Sequence, residues 1–239
     1  MRIFILTGAG ISAESGLGTF RDPNGLWARF DPMKLATPEA FAKDPNLVHA
    51  FYNARRKNLL EAAPNEAHRA LARLESGIER LGGSLFLCTQ NIDDLHERAG
   101  SQRVTHMHGE LLKVRCRACR VVLPWREDLG MQTPCPACRQ AGSLRPHVVW
   151  FGEMPHDLDT IYDDLERADL FVAIGTSGSV YPAAGFVAEA RRAGIRTCEI
   201  NLQPSDNAGQ FDERRYGMAG EAVPAWADEL LRSLERARL

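Results

Sequence analysis

Four of the six cysteines fall in two Cys-x-x-Cys pairs, Cys116/Cys119 and Cys135/Cys138, with fifteen residues between the pairs. Each pair is a short knuckle offering two thiolates, and together they complete a closed tetrahedral shell for a structural zinc ion. No coordination position is left for a substrate, so the metal is expected to organise its own module. Such a site contributes on the order of 10 kcal/mol to folding. Cys88 and Cys198 stand apart in apolar runs, where small buried thiols are common. This thiol usage fits a reducing, cytoplasmic setting better than a disulfide framework.

Gly8-Ala9-Gly10-Ile11-Ser12-Ala13 comes directly after an apolar run and matches the Gly-x-Gly-x-x-Gly/Ala dinucleotide fingerprint. The first glycine permits a tight turn and the second lets a pyrophosphate approach the backbone. The small residue at position 13 permits close packing of the next helical turn. A dehydrogenase of the ordinary kind returns to a second strand within about 30 residues and places an acid there. Here the next strand-like run waits until Ser84, which speaks against hydride transfer.

Two further groups have chemistry in them. His106 and His108 lie two positions apart, on one face if the segment is extended, and either imidazole suits proton transfer near neutral pH. A buried structural histidine is the alternative for each. Val48, Phe51, Tyr52, Arg55 and Leu59 recur at helical spacing, and Arg55 is out of place on that apolar stripe. A desolvated guanidinium needs an anion. Tyr52 and Arg55 together could hold a ligand carboxylate, or Arg55 could form an internal ion pair or snorkel to water.

The elements that must position these groups alternate. Ile3–Thr7, Ser84–Thr89, Leu170–Gly175 and Thr197–Leu202 read as buried parallel strands. Helical patterns occupy 45–62, 65–74, 157–168, 182–193 and 224–237. The alternation predicts an α/β fold, a Rossmann-like doubly wound parallel sheet. Residues 1–113 and 145–239 would form it, with a helical insert at about 24–75 and a small four-cysteine zinc module at 114–144. Ligands bind beyond the carboxyl ends of such strands, where Thr7-Gly8, Gln90-Asn91, Gly175-Thr176-Ser177 and Asn201 fall. Val148 to Glu153 is apolar with a glycine, and would either pair with a substrate backbone as an added strand or serve as an ordinary strand.

Bulk properties narrow the class. With 44% hydrophobic and 25% charged residues among 239, the composition is that of a soluble globular protein. A net charge of −2 gives no global pull toward nucleic acid or anionic membrane, so the arginines at 115, 117, 120 and 126 read as a solvated surface. No apolar run approaches the roughly 20 residues of a membrane span. The opening residues read as a first strand, without the features of a targeting segment.

Taken in order, these motifs resemble the sirtuin family. Gly8 to Gly16, Thr19-Phe20-Arg21, Thr89-Gln90-Asn91-Ile92-Asp93, His108-Gly109, the four cysteines, Phe151-Gly152-Glu153, Gly175-Thr176-Ser177 and Asn201 all find counterparts. The likeness is greatest to the class III branch, which includes bacterial sirtuins and the mitochondrial desuccinylase. Gly18 stands where many sirtuins have proline.

The resemblance implies an NAD-dependent protein-lysine deacylase acting on succinyl, malonyl and acetyl groups and releasing nicotinamide and O-acyl-ADP-ribose. NAD is then a consumed co-substrate, and acyl-lysine proteins are the partners; separately, the chain is expected to be a monomer, in the cytoplasm that its thiol usage favours. It implies cofactor contacts at Gly8, Ala9, Gly10, Ala13, Glu14, Thr19, Phe20, Arg21, Trp27, Gln90, Asn91, Ile92 and Asp93. Gly175, Thr176, Ser177, Asn201, Leu202, Gln203 and Ala219 would complete the adenosine side. His108 would be the general base, with Asn91 beside it. Val149, Phe151, Gly152 and Glu153 would take the peptide, and Tyr52 and Arg55 an acidic acyl group. ADP-ribosyl transfer to protein uses the same pocket with another acceptor, and a zinc-bearing NAD sensor would bind without turnover.

Overall fold

The computed structural model describes residues 1–18 and 34–238. Among these described residues, six parallel strands form the central sheet: β1 (Arg2–Thr7), β2 (Ser84–Thr89), β3 (Val104–His106), β7 (Leu170–Ile174), β8 (Arg196–Asn201) and β9 (Glu213–Tyr216). Their spatial order is β3-β2-β1-β7-β8-β9, so the order reverses at β1. That is the doubly wound arrangement with its ligand crevice at the switch point, here between β1 and β7. A second sheet of three antiparallel strands, β4 (Gly109–Cys116), β5 (Val122–Pro124) and β6 (Leu144–Val148), has the order β5-β4-β6.

The expected α/β class is borne out, and the four expected strands occur nearly where their apolar runs lie. Both faces of β1 are covered, which is why it reads as a continuous apolar run. Ile3 and Ile5 pack on one side with Leu71, Leu74, Val172 and Trp226. Phe4 and Leu6 pack on the other with Phe171, Phe186 and Phe211.

Seven helices among the described residues surround these sheets: α1 (Pro38–Lys43), α2 (Pro45–Glu61), α3 (Glu66–Arg80), α4 (Leu95–Ala99), α5 (Leu158–Glu166), α6 (Phe186–Arg192) and α7 (Ala219–Arg236). Helix α2 starts where Asp44 accepts a hydrogen bond from the Leu47 amide at 3.0 Å and Pro45 occupies the first turn. A capping carboxylate followed by proline is a strong start signal. The last helix begins at Ala219, before Pro224, where the sequence pattern places its start. The Glu14 carboxylate accepts from the Gly220 amide at 2.7 Å, occupying one otherwise orphaned donor of that first turn.

A third apolar cluster joins α2 to the second sheet through Val48, Phe51, Tyr52, Leu59, Leu111 and Trp150. Arg56 reinforces the joint from within. Only 1% exposed, it donates to the carbonyls of Leu111 and Glu127 and to Asn53 Oδ1. No described helix is long and apolar enough to cross a membrane.

Candidate active site

Three glycines make the crevice possible. The Gly8 amide donates to the Ile174 carbonyl and the Gly10 amide to the Gly175 carbonyl, each at 2.9 Å. A Cβ on Gly8 would stand 2.8 Å from the Gly175 oxygen, and one on Gly10 would stand 2.7 Å from the Gly175 Cα. Gly175 itself has φ +63°, a conformation costly for other residues. The ends of β1 and β7 therefore meet backbone to backbone. The loop continues as a 3-10 helix, Ala9–Ser15, in place of the α-helix that usually comes after this fingerprint.

Beyond these strand ends lies a cavity of about 1110 Å³. It is lined by Gly8, Ala9, Gly10, Ala13 and Glu14, by Gln90 to Asp93 and His108, by Gly175 to Ser177, and by Asn201, Leu202, Gln203 and Ala219. Tyr52, Arg55, Val149, Phe151, Gly152 and Glu153 line the same space. Pockets for drug-sized ligands measure roughly 300–1,000 Å³, so this cavity, at the top of that range, has room for a dinucleotide-sized ligand. Thr19, Phe20, Arg21 and Trp27 lie outside the described residues.

The loop after β2 is held rigidly against the glycine loop. Asn91 Nδ2 donates to the Gly8 carbonyl at 3.2 Å and to Ser12 Oγ at 3.1 Å. Ser12 Oγ in turn donates to Asp93 Oδ2 at 3.1 Å, and the Leu95 amide donates to Asp93 Oδ1 at 3.2 Å. Burial raises the Asp93 pKa above its ordinary value, and these donors oppose the rise. On the far side, Asn201 Nδ2 donates to the Thr176 carbonyl at 2.7 Å and fixes the end of β8.

The histidines divide cleanly. His108 lines the cavity, and its Nδ1 lies 3.0 Å from the Gln90 carbonyl. Burial lowers its pKa and the neighbouring His156 adds to that, against the Gln90 hydrogen bond. A neutral imidazole facing a cavity is a base ready to accept a proton. His106 does not line the cavity, and its Nε2 is 2.6 Å from Glu97. Burial pulls the His106 pKa down, but the Glu97 hydrogen bond and charge, with Glu110, carry it above the ordinary value.

In the same cavity lining Tyr52 is buried and Arg55 half-buried, one turn apart on α2. The Arg55 guanidinium lies 5.7 Å from the Phe51 ring centroid. Burial lowers its pKa, while Tyr52 and Asp93 oppose that. After β6 the chain turns at Phe151 to Glu153, with Gly152 at φ +89°, so this stretch is a turn instead of an extended strand. Its amides are engaged: Val149 N donates to the His108 carbonyl at 2.8 Å and Phe151 N to the Ala36 carbonyl at 2.9 Å. Glu153 receives two hydrogen bonds from Arg145, at 2.6 and 2.9 Å, and one from the Trp150 amide.

The four cysteines converge as their spacing requires. Their Sγ atoms all lie within 4.8 Å of one another, with Cys116–Cys138 at 3.7 Å and Cys119–Cys135 at 3.8 Å. Thiolates at about 2.3 Å from a tetrahedral zinc stand roughly 3.8 Å apart. The donor set therefore fits a structural zinc. Ser143 Oγ, 3.3 Å from Cys116 Sγ, is a neighbour able to orient that ligand.

The Sir2 family pattern matches residues 8–182. The chain belongs to the Sir2 family. An NAD-dependent protein deacylase of Caulobacter vibrioides is 62% identical over 234 residues, covering 98% of each chain. One of Escherichia coli K12, named likewise, is 54% identical over 236 residues, 98% of this chain and 84% of that protein. A solved Sir2 homologue–NAD complex superposes with a TM-score of 0.85 at 42% identity, covering 99% of this chain and 90% of that one. A Sir2 complex with a deacetylated p53 peptide and 3'-O-acetyl ADP ribose gives 0.78 at 29%, covering 97% and 92%.

Within this Sir2-family chain, three groups near the site escape sequence reasoning. Arg56 is the same residue type as the half-buried Arg55 beside it, and only the three-dimensional packing shows which is fully buried. His68 and His96 lie behind the glycine loop: His68 Nε2 is 3.4 Å from Ser12 Oγ, and His96 Nε2 is 3.0 Å from Thr7 Oγ1. His68 sits three residues after Asn65 and completes its capping box, a signal visible only once the helix start is known.

Proposed function

We propose that this chain is an NAD-dependent protein-lysine deacylase that favours acidic acyl groups, succinyl and malonyl above acetyl. The observation that carries the reading is the lining of one cavity both by His108 and Gln90 to Asp93 and by Tyr52 and Arg55. An acyl-lysine passing the Val149–Glu153 turn would bring its carbonyl toward the former and its terminal carboxylate toward the latter. Phenolic and guanidinium donors to a carboxylate are each worth about 1.5–3 kcal/mol, a tenfold to hundredfold preference.

NAD, consumed as co-substrate, supplies the ADP-ribosyl group that the acyl carbonyl oxygen joins as nicotinamide leaves. The chain's own task is orientation and proton transfer. Asn91 and Asp93 form the wall of the nicotinamide end, held by Ser12 and the Gly8 carbonyl. His108, with Nδ1 fixed on the Gln90 carbonyl, offers its other nitrogen to a ribose hydroxyl and accepts the proton when that oxygen attacks the acyl carbon. Gly175 to Ser177, Asn201 to Gln203 and Ala219 are assigned to the adenosine end, and Cys116, Cys119, Cys135 and Cys138 to zinc.

We further assign residues 1–113 and 145–239 to the NAD-binding domain and 114–144 to the zinc module, in a cytoplasmic monomer with no nucleic-acid role. Turnover of matched succinyl-lysine and acetyl-lysine peptides, monitored by nicotinamide release and product mass, tests the reading. Faster NAD-dependent desuccinylation with O-acyl-ADP-ribose as product supports it. Acetyl-only turnover removes the acidic preference, and labelled protein as product points instead to ADP-ribosyl transfer.

A further inference from the structure

The Tyr52 hydroxyl makes one hydrogen bond among the described residues, and it is the acceptor: Trp150 Nε1 donates to it at 3.0 Å. An indole N–H can only donate, while a phenol has one proton to give. With its acceptor side occupied by Trp150, the Tyr52 proton is directed to a different partner. Tyr52 and Trp150 both border the cavity, although each is only 2% exposed. Burial raises the Tyr52 pKa, so the phenol keeps its proton.

The indole is not free to turn away. The Arg145 guanidinium lies 3.4 Å from its ring centroid, and Phe41 packs at 5.3 Å. Glu153 engages Arg145 and the Trp150 amide together, so the Phe151–Glu153 turn and the indole form one braced unit. A donor held this way polarises the hydroxyl it touches and restricts its rotation.

We propose that Trp150 is a positioning residue for acyl specificity, its indole N–H fixing the Tyr52 hydroxyl so that the phenolic proton points at a carboxylate entering the cavity. This inference rests on the acidic-acyl reading above. An acetyl group brings no carboxylate and gains nothing from the arrangement, so Trp150 acts on the ratio between substrates.

The test is a double-mutant cycle on the zinc-loaded full chain, with Trp150→Phe, Tyr52→Phe and the double variant assayed on succinyl- and acetyl-lysine peptides. Trp150→Phe keeps an aromatic ring and removes the donor. Loss of one neutral hydrogen bond corresponds to roughly a fivefold change. We expect Trp150→Phe to lower the desuccinylation-to-deacetylation ratio about fivefold, mainly through KM, and to lower it no further in the Tyr52→Phe background. A proportional loss on both peptides, or an undiminished effect without the phenol, overturns the inference. If Tyr52→Phe and Arg55→Met are themselves unselective, the acidic-acyl reading fails instead. Should Trp150→Phe fold poorly, the indole N–H resonance of Trp150 in the native protein decides. A succinyl-lysine peptide shifts it more than an acetyl-lysine peptide, and equal shifts overturn the proposal.

Discussion

His106 and His108 grip consecutive carbonyls of one loop, His108 Nδ1 at 3.0 Å from Gln90 O and His106 Nδ1 at 3.4 Å from Asn91 O. The similarity ends at the other nitrogen. His106 Nε2 is on Glu97, whereas His108 borders the cavity. His108→Asn should therefore abolish turnover. His106→Gln should leave measurable activity with a raised KM for NAD, because it loosens Asn91 without removing the base. Steady-state kinetics on one acyl peptide separates them, and equal inactivation would reject the assignment of His108 alone as the base.

The pH profile is set by the His108 environment. Burial and His156 lower its pKa below 6.5, and a general base works only when deprotonated. The value of kcat/KM should fall as pH drops, with its inflection below 6.5. An inflection above 7 on this limb would mean that another group carries the proton.

For the acyl end, Tyr52→Phe combined with Arg55→Met should reduce kcat/KM for succinyl-lysine at least tenfold more than for acetyl-lysine, given about 1.5–3 kcal/mol per charge-assisted bond. Equal losses on the two peptides would remove the role assigned to the pair.

How much of this site could be read from the chain depended on whether a signal was local. Gly8, Gly10 and the Cys-x-x-Cys knuckles are local: their chemistry is carried by residue type and short spacing. Strands covered on both faces announce themselves as apolar runs, whereas the edge strands Val104–His106 and Glu213–Tyr216 are short and polar and give no such signal. The alternation that would place positions 106 and 108 on one strand face breaks at the end of β3, since His108 lies in the turn before β4. Trp150 meeting Tyr52 and Arg56 meeting Glu127 are contacts across distant segments. Helical spacing could mark Arg55 as anomalous, but not that Arg56 is the one withdrawn from solvent.

Removing zinc should do more than unfold a peripheral module. Arg56 and Asn53 tie α2 to residues 127–129, and β6 leads from the module directly into the Val149–Glu153 turn. Chelation, or Cys135→Ser, should therefore abolish deacylation and lower the thermal midpoint, with zinc restoring both after chelation. Structural sites of this kind are worth on the order of 10 kcal/mol. Full activity in a protein shown to be metal-free would refute the coupling.

Acid sensitivity of the fold should trace to the histidines behind the glycine loop. Burial lowers His68 to about 4 and His96 well below 6.5, and His96 Nδ1 has no hydrogen-bond partner among the described residues. Between about 4 and the unfolded value near 6.5 the unfolded chain binds more protons, so stability declines as pH falls through that window. His106, raised by Glu97, works oppositely: its contribution is present below 6.5 and is lost as pH rises through its folded value. The His68 shift alone represents on the order of 3 kcal/mol at about 1.4 kcal/mol per unit. Urea midpoints measured from pH 7.5 to 5 should fall steadily in the native protein and less steeply in His68→Gln. Comparing slopes separates this protonation effect from the constant loss of the Ser12 contact. Parallel slopes would place the acid sensitivity elsewhere, with the zinc thiolates the next group to examine.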